Sequence, residues 1–211
     1  MIKAIVFDFD LTLVDSFRAL HGAWRDFEKY HHVSFSKIPE KKIWGMPKEL
    51  VFKQVAKLNG NKLSWQEIKE LGTKYTAKHF ANLKFRNQEM LQEFKKKKIK
   101  LGIISYNFYT TVSKTAKNIK NRKIKFDFIF TPDTGIGEKK EQFLRHILRL
   151  CKIKKDELIY IGDHPQDIEA AKKAGVISAA VATGLFSIKQ LKRYHPDILI
   201  SKLSELKKYI G

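Results

Sequence analysis

The chain has 211 residues, enough for a full hydrophobic core in one domain, or in one domain carrying an insertion. With 43% hydrophobic and 30% charged residues, it is not a disordered chain, and no apolar run approaches the roughly 20 residues of a membrane span. The formal charge of +20 suits nucleic acid, an anionic membrane or an anionic substrate, but no nucleic-acid-binding motif accompanies it, so a solvated lysine-rich surface is favoured and nucleic acid is a possible partner that is not favoured.

Residues Ile2 to Phe7 open the chain as a near-continuous apolar run, the pattern of a strand covered on both faces. No signal peptide precedes the run, so a cytoplasmic location is expected. The run ends in Asp8-Phe9-Asp10-Leu11-Thr12. From Thr12 to about Phe85 no buried strand is predicted. Helical patterns cover Phe17 to Tyr30, Pro47 to Leu58 and Ser64 to Phe80, interrupted by turns at Gly45-Met46-Pro47 and Asn59-Gly60-Asn61. This all-helical stretch reads as a small second domain inserted after the first strand.

A helix over Glu89 to Lys98 then precedes a strand over Ile99 to Ile104, which leads into Ser105, Tyr106 and Asn107. The dense run Lys95 to Lys98 falls at the end of that helix, where cations complement the dipole. A third strand, Phe126 to Phe130, leads to Thr131 and Asp133. The helix Lys140 to Cys151 has Phe143, Leu144, Ile147, Leu148 and Cys151 at helical spacing. Cys151 is the single cysteine, which excludes an internal disulfide and agrees with a reducing compartment. A fourth strand, Leu158 to Ile161, ends in Gly162-Asp163. The helix Pro165 to Ala174 follows, with Asp167 near its start and Gly175 as its C-terminal stop. Strands over Ala179 to Ala182 and, more weakly, Ile198 to Ile200 complete the chain. The alternation predicts an α/β fold built on a doubly wound parallel sheet.

Ligands of such sheets bind beyond the carboxyl ends of the strands. In a parallel arrangement Asp8, Asp10, Ser105, Asp133, Asp163 and Asp167 converge on one edge. Close carboxylates repel unless a cation sits among them, and hard oxygen donors without a His or Cys cluster select Mg²⁺. Competing motifs fail on their own requirements. Thr12 and Leu13 occupy places that an EF-hand loop needs for a ligand and a glycine, Gly135-Ile136-Gly137 lacks the third glycine of a dinucleotide fingerprint, and His31-His32 has no ligand partners at metal spacing.

These segments resemble the haloacid dehalogenase-like (HAD) superfamily. Asp8-Phe9-Asp10-Leu11-Thr12-Leu13 is similar to its first motif, Ser105 after Gly102-Ile103-Ile104 to its second, a lysine at Lys139 or Lys140 to its third, and Gly162-Asp163-His164-Pro165-Gln166-Asp167 to its fourth. The usual Lys-Pro of the third motif is absent, and of the two adjacent lysines Lys139 is favoured. The resemblance implies a Rossmann-like core of residues 1–15 and 85–211 and an α-helical cap of residues 16–84, placed as in the phosphoglycolate phosphatase-like branch. It implies a nucleophile at Asp8, a general acid–base at Asp10, assistance from Ser105 and the lysine, and Mg²⁺ held by Asp8, the Asp10 carbonyl and Asp163, with Asp167 orienting the lysine or the metal's water ligands. Substrate would meet Ser105, Asn107 and Lys139. Dehalogenases of the superfamily lack an aspartate at the place of Asp10, because a halide needs no proton, so its presence implies phosphoryl chemistry.

The expected activity is Mg²⁺-dependent hydrolysis of a small phosphorylated metabolite, of which phosphoglycolate is the subfamily's type. A sugar phosphomutase, a nucleotide or polynucleotide-end phosphatase, and a basic nucleic-acid-binding protein without catalysis are the alternatives. Cap residues that could face substrate are Arg18, His21, Trp24, Lys42, Trp44 and Lys48, with core packing expected for the two tryptophans and solvent for the two lysines. Nothing in the sequence sets the oligomeric state.

Overall fold

The computed structural model describes residues 1–60, 64–117 and 124–210, the side chains at positions 49, 65, 68 and 69 excepted. The six apolar runs form six strands: β1 (Ala4–Asp8), β2 (Lys100–Ile104), β3 (Phe128–Phe130), β4 (Leu158–Gly162), β5 (Ile177–Val181) and β6 (Ile198–Ile200). They make one parallel sheet in the order β3-β2-β1-β4-β5-β6. Central β1 and β4 are buried along their whole length, which is why their runs do not alternate. Asp8 lies opposite Ile104 of β2, and Phe7 lies opposite Ile161 of β4. That register brings Asp8, Ser105 and Asp163 to within about one residue of a common level at the carboxyl edge.

Between β1 and β2 the described chain is helical, as expected: α1 (Phe17–His31), α2 (Glu40–Trp44), α3 (Lys48–Leu58) and α4 (Trp65–Phe80). Ser64 and Glu67 close a reciprocal cap that starts α4. The helices α5 (Gln88–Lys96), α7 (Lys140–Cys151) and α8 (Pro165–Ala174) match the sequence patterns, and Gly175 ends α8 at φ 76°. Three helices carry no clear pattern in sequence: the five-residue α2 and α9 (Ile188–Lys192), and α6 (Tyr109–Lys117).

A single hydrophobic cluster runs from the sheet (Ile5, Phe7, Leu101, Ile103) into the helical layer (Leu20, Phe27, Phe52, Phe80). Phe9 stacks on Phe80 at 6.2 Å and Phe52 on Phe108 at 6.4 Å. The Thr76 and Thr111 hydroxyls bond at 2.9 Å across the same boundary. The charge is also ordered. Helices α5, α7 and α8 run back to the amino edge of the sheet, and the exposed Lys3, Lys98, Lys100, Lys125, Lys155 and Lys173 lie there, before or at the first residues of five strands. Part of the basic excess therefore sits at helix C-termini, where the dipole favours it, and opposite the acidic carboxyl edge.

All three tryptophans lie between β1 and β2, so their fluorescence reports the helical layer while far-UV dichroism reports the whole molecule. Because the apolar cluster is continuous, thermal unfolding followed by the two probes should give coincident curves. Phe27 is fully buried against Phe52 at 4.7 Å, and Phe27→Ala should lower stability by about 3–5 kcal/mol, read from denaturant midpoints. Separated curves would show that the helical layer unfolds by itself.

Candidate active site

The chain leaves β1 through a strained turn. Leu11, one residue after Asp10, has φ 60°, a left-handed conformation uncommon for a side chain of this size. The Leu13 and Val14 N–H groups both donate to the Phe9 carbonyl, at 3.1 and 3.2 Å. This winding places Asp8 and Asp10 together on the wall of one small cavity. Ser105 follows β2, and its hydroxyl accepts from the Asn107 N–H at 3.0 Å. The Asn107 amide donates to Asp10 Oδ2 at 3.3 Å, while Asp10 Oδ1 is buried with no hydrogen-bond partner among the described residues. Asp163 and Asp167 come from the end of β4 and the first turn of α8. Close approach requires two glycines here, because a Cβ at Gly162 would lie 2.1 Å from Asp167 Oδ2 and one at Gly184 would lie 1.9 Å from Asp163 Oδ2.

The preference for Lys139 is corrected. Lys139 is exposed, and its backbone N–H donates to the Gln142 side-chain oxygen at 2.9 Å. Lys140, the first residue of α7, is buried, and its Nζ donates to Asp8 Oδ1 and to Asp167 Oδ1, each at 2.6 Å. Adjacent residues at a helix start point in different directions, so only one of the pair can reach the cleft. Asp167 is then fully engaged, since it also accepts from the Tyr160 hydroxyl at 2.8 Å and from the His164 N–H at 3.1 Å. Asp133 does not join the cluster. Its carboxylate accepts from Thr131 Oγ1 at 2.6 Å and from the Tyr109 N–H at 3.1 Å, so it caps α6 from 24 residues away.

The electrostatics follow from burial. Asp8 is raised well above the ordinary carboxylate range by burial, against the pull of Lys140 and with the repulsion of Asp167, Asp163 and Asp10. Asp163 is pushed up to about 7 by burial and then by Asp167, while the Thr12 hydroxyl, donating at 2.8 Å, opposes the rise. Burial would raise Asp167 too, but the Lys140 ammonium outweighs it and holds Asp167 below its ordinary value. Burial works against the Lys140 charge, yet Asp167 and Asp8 hold that group well above its usual value.

Oxygens of Asp8, Asp163 and Asp167 lie within 4.8 Å of one another. Four carboxylates, those of Asp8, Asp10, Asp163 and Asp167, share the cavity wall with two ammonium groups, Lys140 and Lys48. With all four ionised, the set is two positive charges short of balance. An all-oxygen donor set with that deficit fits a hard divalent cation.

The helical layer closes the cavity. Trp44, Gly45 and Lys48 face Tyr106, His164 and Gln166 across a space of about 20 Å³, room for roughly one water. Lys48, expected in solvent, is buried at 2% exposure. Its backbone N–H donates to the Tyr106 carbonyl at 2.9 Å. Its ammonium lies 5.2 Å from the Trp44 ring and has no hydrogen-bond or ion-pair partner among the described residues. Burial lowers its pKa, with Asp10 and Asp8 opposing. Of the other cap candidates, Trp24 packs in the core and Arg18 and Lys42 are exposed. His21 pairs with Glu40 at 2.8 Å. Lys48 stood among the candidates, though with solvent expected for it, whereas sequence reasoning missed Thr12 and Tyr160 as partners of the acidic cluster. Thr12 stood inside the first motif and could have been weighed, whereas nothing local marks Tyr160.

Comparison with known proteins agrees with this geometry. The family model described as haloacid dehalogenase-like hydrolase matches residues 5–181. Among curated proteins, the chain is similar to pyrophosphatase PpaX of Oceanobacillus iheyensis, at 24% identity over 214 residues covering 100% of this chain and 97% of that protein. Among solved structures, a haloacid dehalogenase-like family hydrolase from Streptococcus pneumoniae superposes with a TM-score of 0.76 at 26% identity, covering 100% of this chain and 99% of the other. A predicted phosphoglycolate phosphatase from Haemophilus somnus shares the fold with a TM-score of 0.82 at 16% identity, covering 100% and 98%. With its acidic cluster at the carboxyl edge of a six-stranded parallel sheet and more than half its length matched, this chain belongs to the haloacid dehalogenase-like hydrolase family.

Proposed function

We propose that this hydrolase is a Mg²⁺-dependent phosphatase acting on a small phosphorylated compound that carries a second anionic group beside the phosphoryl group. The observation that carries the reading is the buried placement of Asp8 at the end of β1, one oxygen on Lys140 and the other without a partner among the described residues, with Asp10 and Asp163 beside it. Mg²⁺ held by Asp8, the Asp10 carbonyl and Asp163 would neutralise the repulsion between an anionic nucleophile and an anionic phosphate.

The free Asp8 oxygen attacks phosphorus, the bond to the leaving oxygen breaks, and Asp10 gives that oxygen its proton. Asp10, now a carboxylate oriented by Asn107, takes a proton from water. The resulting hydroxide attacks the phosphorus of the aspartyl-phosphate, releasing inorganic phosphate and restoring Asp8. Lys140 spreads positive charge onto the nucleophile and is itself held by Asp167. The Ser105 hydroxyl accepts from Asn107 N–H and keeps its own proton for a phosphate oxygen.

The helical segment 16–84 acts as the cap in this reading. The closed space is too small for substrate, so the cap must lift for entry and then exclude water during the first step. Lys48 enters the site from the cap with an unpaired ammonium, which suits a second anion on the leaving group. Pyrophosphate and phosphoglycolate both have one, and the name of the Oceanobacillus relative supports the former. The single cysteine supports action in a reducing compartment such as the cytoplasm.

Purified protein with Mg²⁺ should hydrolyse p-nitrophenyl phosphate, and Asp8→Asn should lower the rate by at least about 10³-fold, the loss expected when a nucleophile is removed. Full turnover by that variant would remove Asp8 from the chemistry. Lys48→Met should raise KM for pyrophosphate or phosphoglycolate by about tenfold, the equivalent of one charged contact, while leaving p-nitrophenyl phosphate, which has no second anion, nearly unchanged. An equal effect on all three substrates would refute the assignment to a second anion.

Asp163 also makes stability depend on pH. A carboxyl raised to about 7 in the fold supplies stability that is complete below its unfolded value of about 4 and is lost as pH rises through 7. Metal-free protein in EDTA should therefore lose thermal stability between pH 5 and pH 8, and added Mg²⁺ should restore more of it at pH 8 than at pH 5. Asp163→Asn should flatten both responses in melting curves. A Mg²⁺ effect that survives in this variant would exclude Asp163 as a ligand.

A further inference from the structure

We propose that Arg86 is a positioning residue that holds the strained turn after Asp10 in its working geometry and ties that turn to both connections between the helical layer and the sheet. The inference rests on the phosphatase reading above. Leu11 keeps a left-handed backbone without being glycine, and such a conformation persists only where surrounding groups over-determine it. Two groups distant in sequence do so. Arg86 Nη1 donates to the Leu11 carbonyl at 2.7 Å, across 75 residues, and Thr183 Oγ1 donates to the same oxygen at 2.7 Å, across 172. Together they engage both lone pairs of that carbonyl.

Arg86 is attached to this turn by more than its tip. Its backbone N–H donates to the Leu13 carbonyl at 2.7 Å, and the neighbouring Phe85 bridges to Val14. Its second terminal nitrogen, Nη2, lies 3.3 Å from Asp15 Oδ2. Asp15 stands in the connection from β1 to α1, and Arg86 in the connection from α4 to α5. One planar guanidinium thus joins the outgoing connection, the returning connection and the residue next to Asp10. A lysine has no fork with which to reach two such partners at once. A displaced turn would move Asp10 relative to the leaving oxygen, and a shift of about 1 Å at a reacting group can cost on the order of 100-fold in rate.

The test compares wild-type protein with Arg86→Ala and Arg86→Lys. In Arg86→Ala, kcat for p-nitrophenyl phosphate should fall by about 10- to 100-fold with KM within about threefold, the split expected when only transition-state geometry is lost. About 20 mM guanidinium, far below denaturing concentrations, should recover a substantial part of the rate in Arg86→Ala and none in wild type, because the free ion fits the vacated donor position. Arg86→Lys should stay impaired. Amide hydrogen exchange over residues 9–14, which carry the N–H groups bonded to Phe9, should quicken in Arg86→Ala and slow again with guanidinium. Unchanged kcat, or a loss that guanidinium does not reverse with exchange over 9–14 as in wild type, would overturn the proposal. A wild-type protein with no Asp8-dependent turnover would end the phosphatase reading instead, and the exchange measurement would still decide whether Arg86 holds the turn.

Discussion

Four carboxylates gathered in a space of low dielectric constrain everything around them. Asp8, Asp10, Asp163 and Asp167 meet because a parallel sheet sends the ends of β1 and β4 to one edge, and because glycines at 162 and 184 let backbone pass within van der Waals distance of the acids. Left alone, this set would take up protons and lose its chemistry. Lys140 prevents part of that by bridging Asp8 and Asp167 with two bonds of 2.6 Å. Burial, and then Asp167, still push Asp163 up to about 7, and the all-oxygen set fits a divalent cation.

Around this centre the groups form layers of decreasing directness. Asn107 touches Asp10, Thr12 touches Asp163, and Tyr160 and the His164 N–H fill the remaining acceptors of Asp167. The bonds to Asp10 and Asp163 each fix one oxygen, whereas both oxygens of Asp167 are engaged. The helical layer adds Lys48 from above, the one cation there with no partner among the described residues. The site is thus assembled by two structural layers that share a single apolar cluster.

The lysine choice shows how local sequence and three-dimensional placement divide the work. Lys139 and Lys140 are chemically identical and adjacent, so no pattern separates them. The helix start at Lys140 decides, because the first helical residue turns its side chain toward Asp8 while Lys139 stays extended and exposed. Asp133 makes the same point. It stands at a strand end as the other acids do, yet its oxygens are used to cap α6, a helix that has no recognisable start signal of its own. Lys48 was expected in solvent, as a lysine usually is, and only the closing of α3 over Tyr106 buries it.

Sequence alone was enough for the sheet, since apolar runs of three to six residues bounded by polar ends read as buried parallel strands in an alternating chain. It was enough, too, for the acids at positions 8, 10, 163 and 167, because strand ends and motif spacing are local properties. Tertiary structure alone decided which lysine reaches Asp8, that Asp133 is a cap, that Lys48 faces the cavity, and that Arg86 grips the Leu11 carbonyl. Those outcomes depend on contacts spanning tens of residues or more, between Asp8 and Lys140, Tyr109 and Asp133, Tyr106 and Lys48, and Leu11 and Arg86, and propensity and periodicity carry no information over such separations.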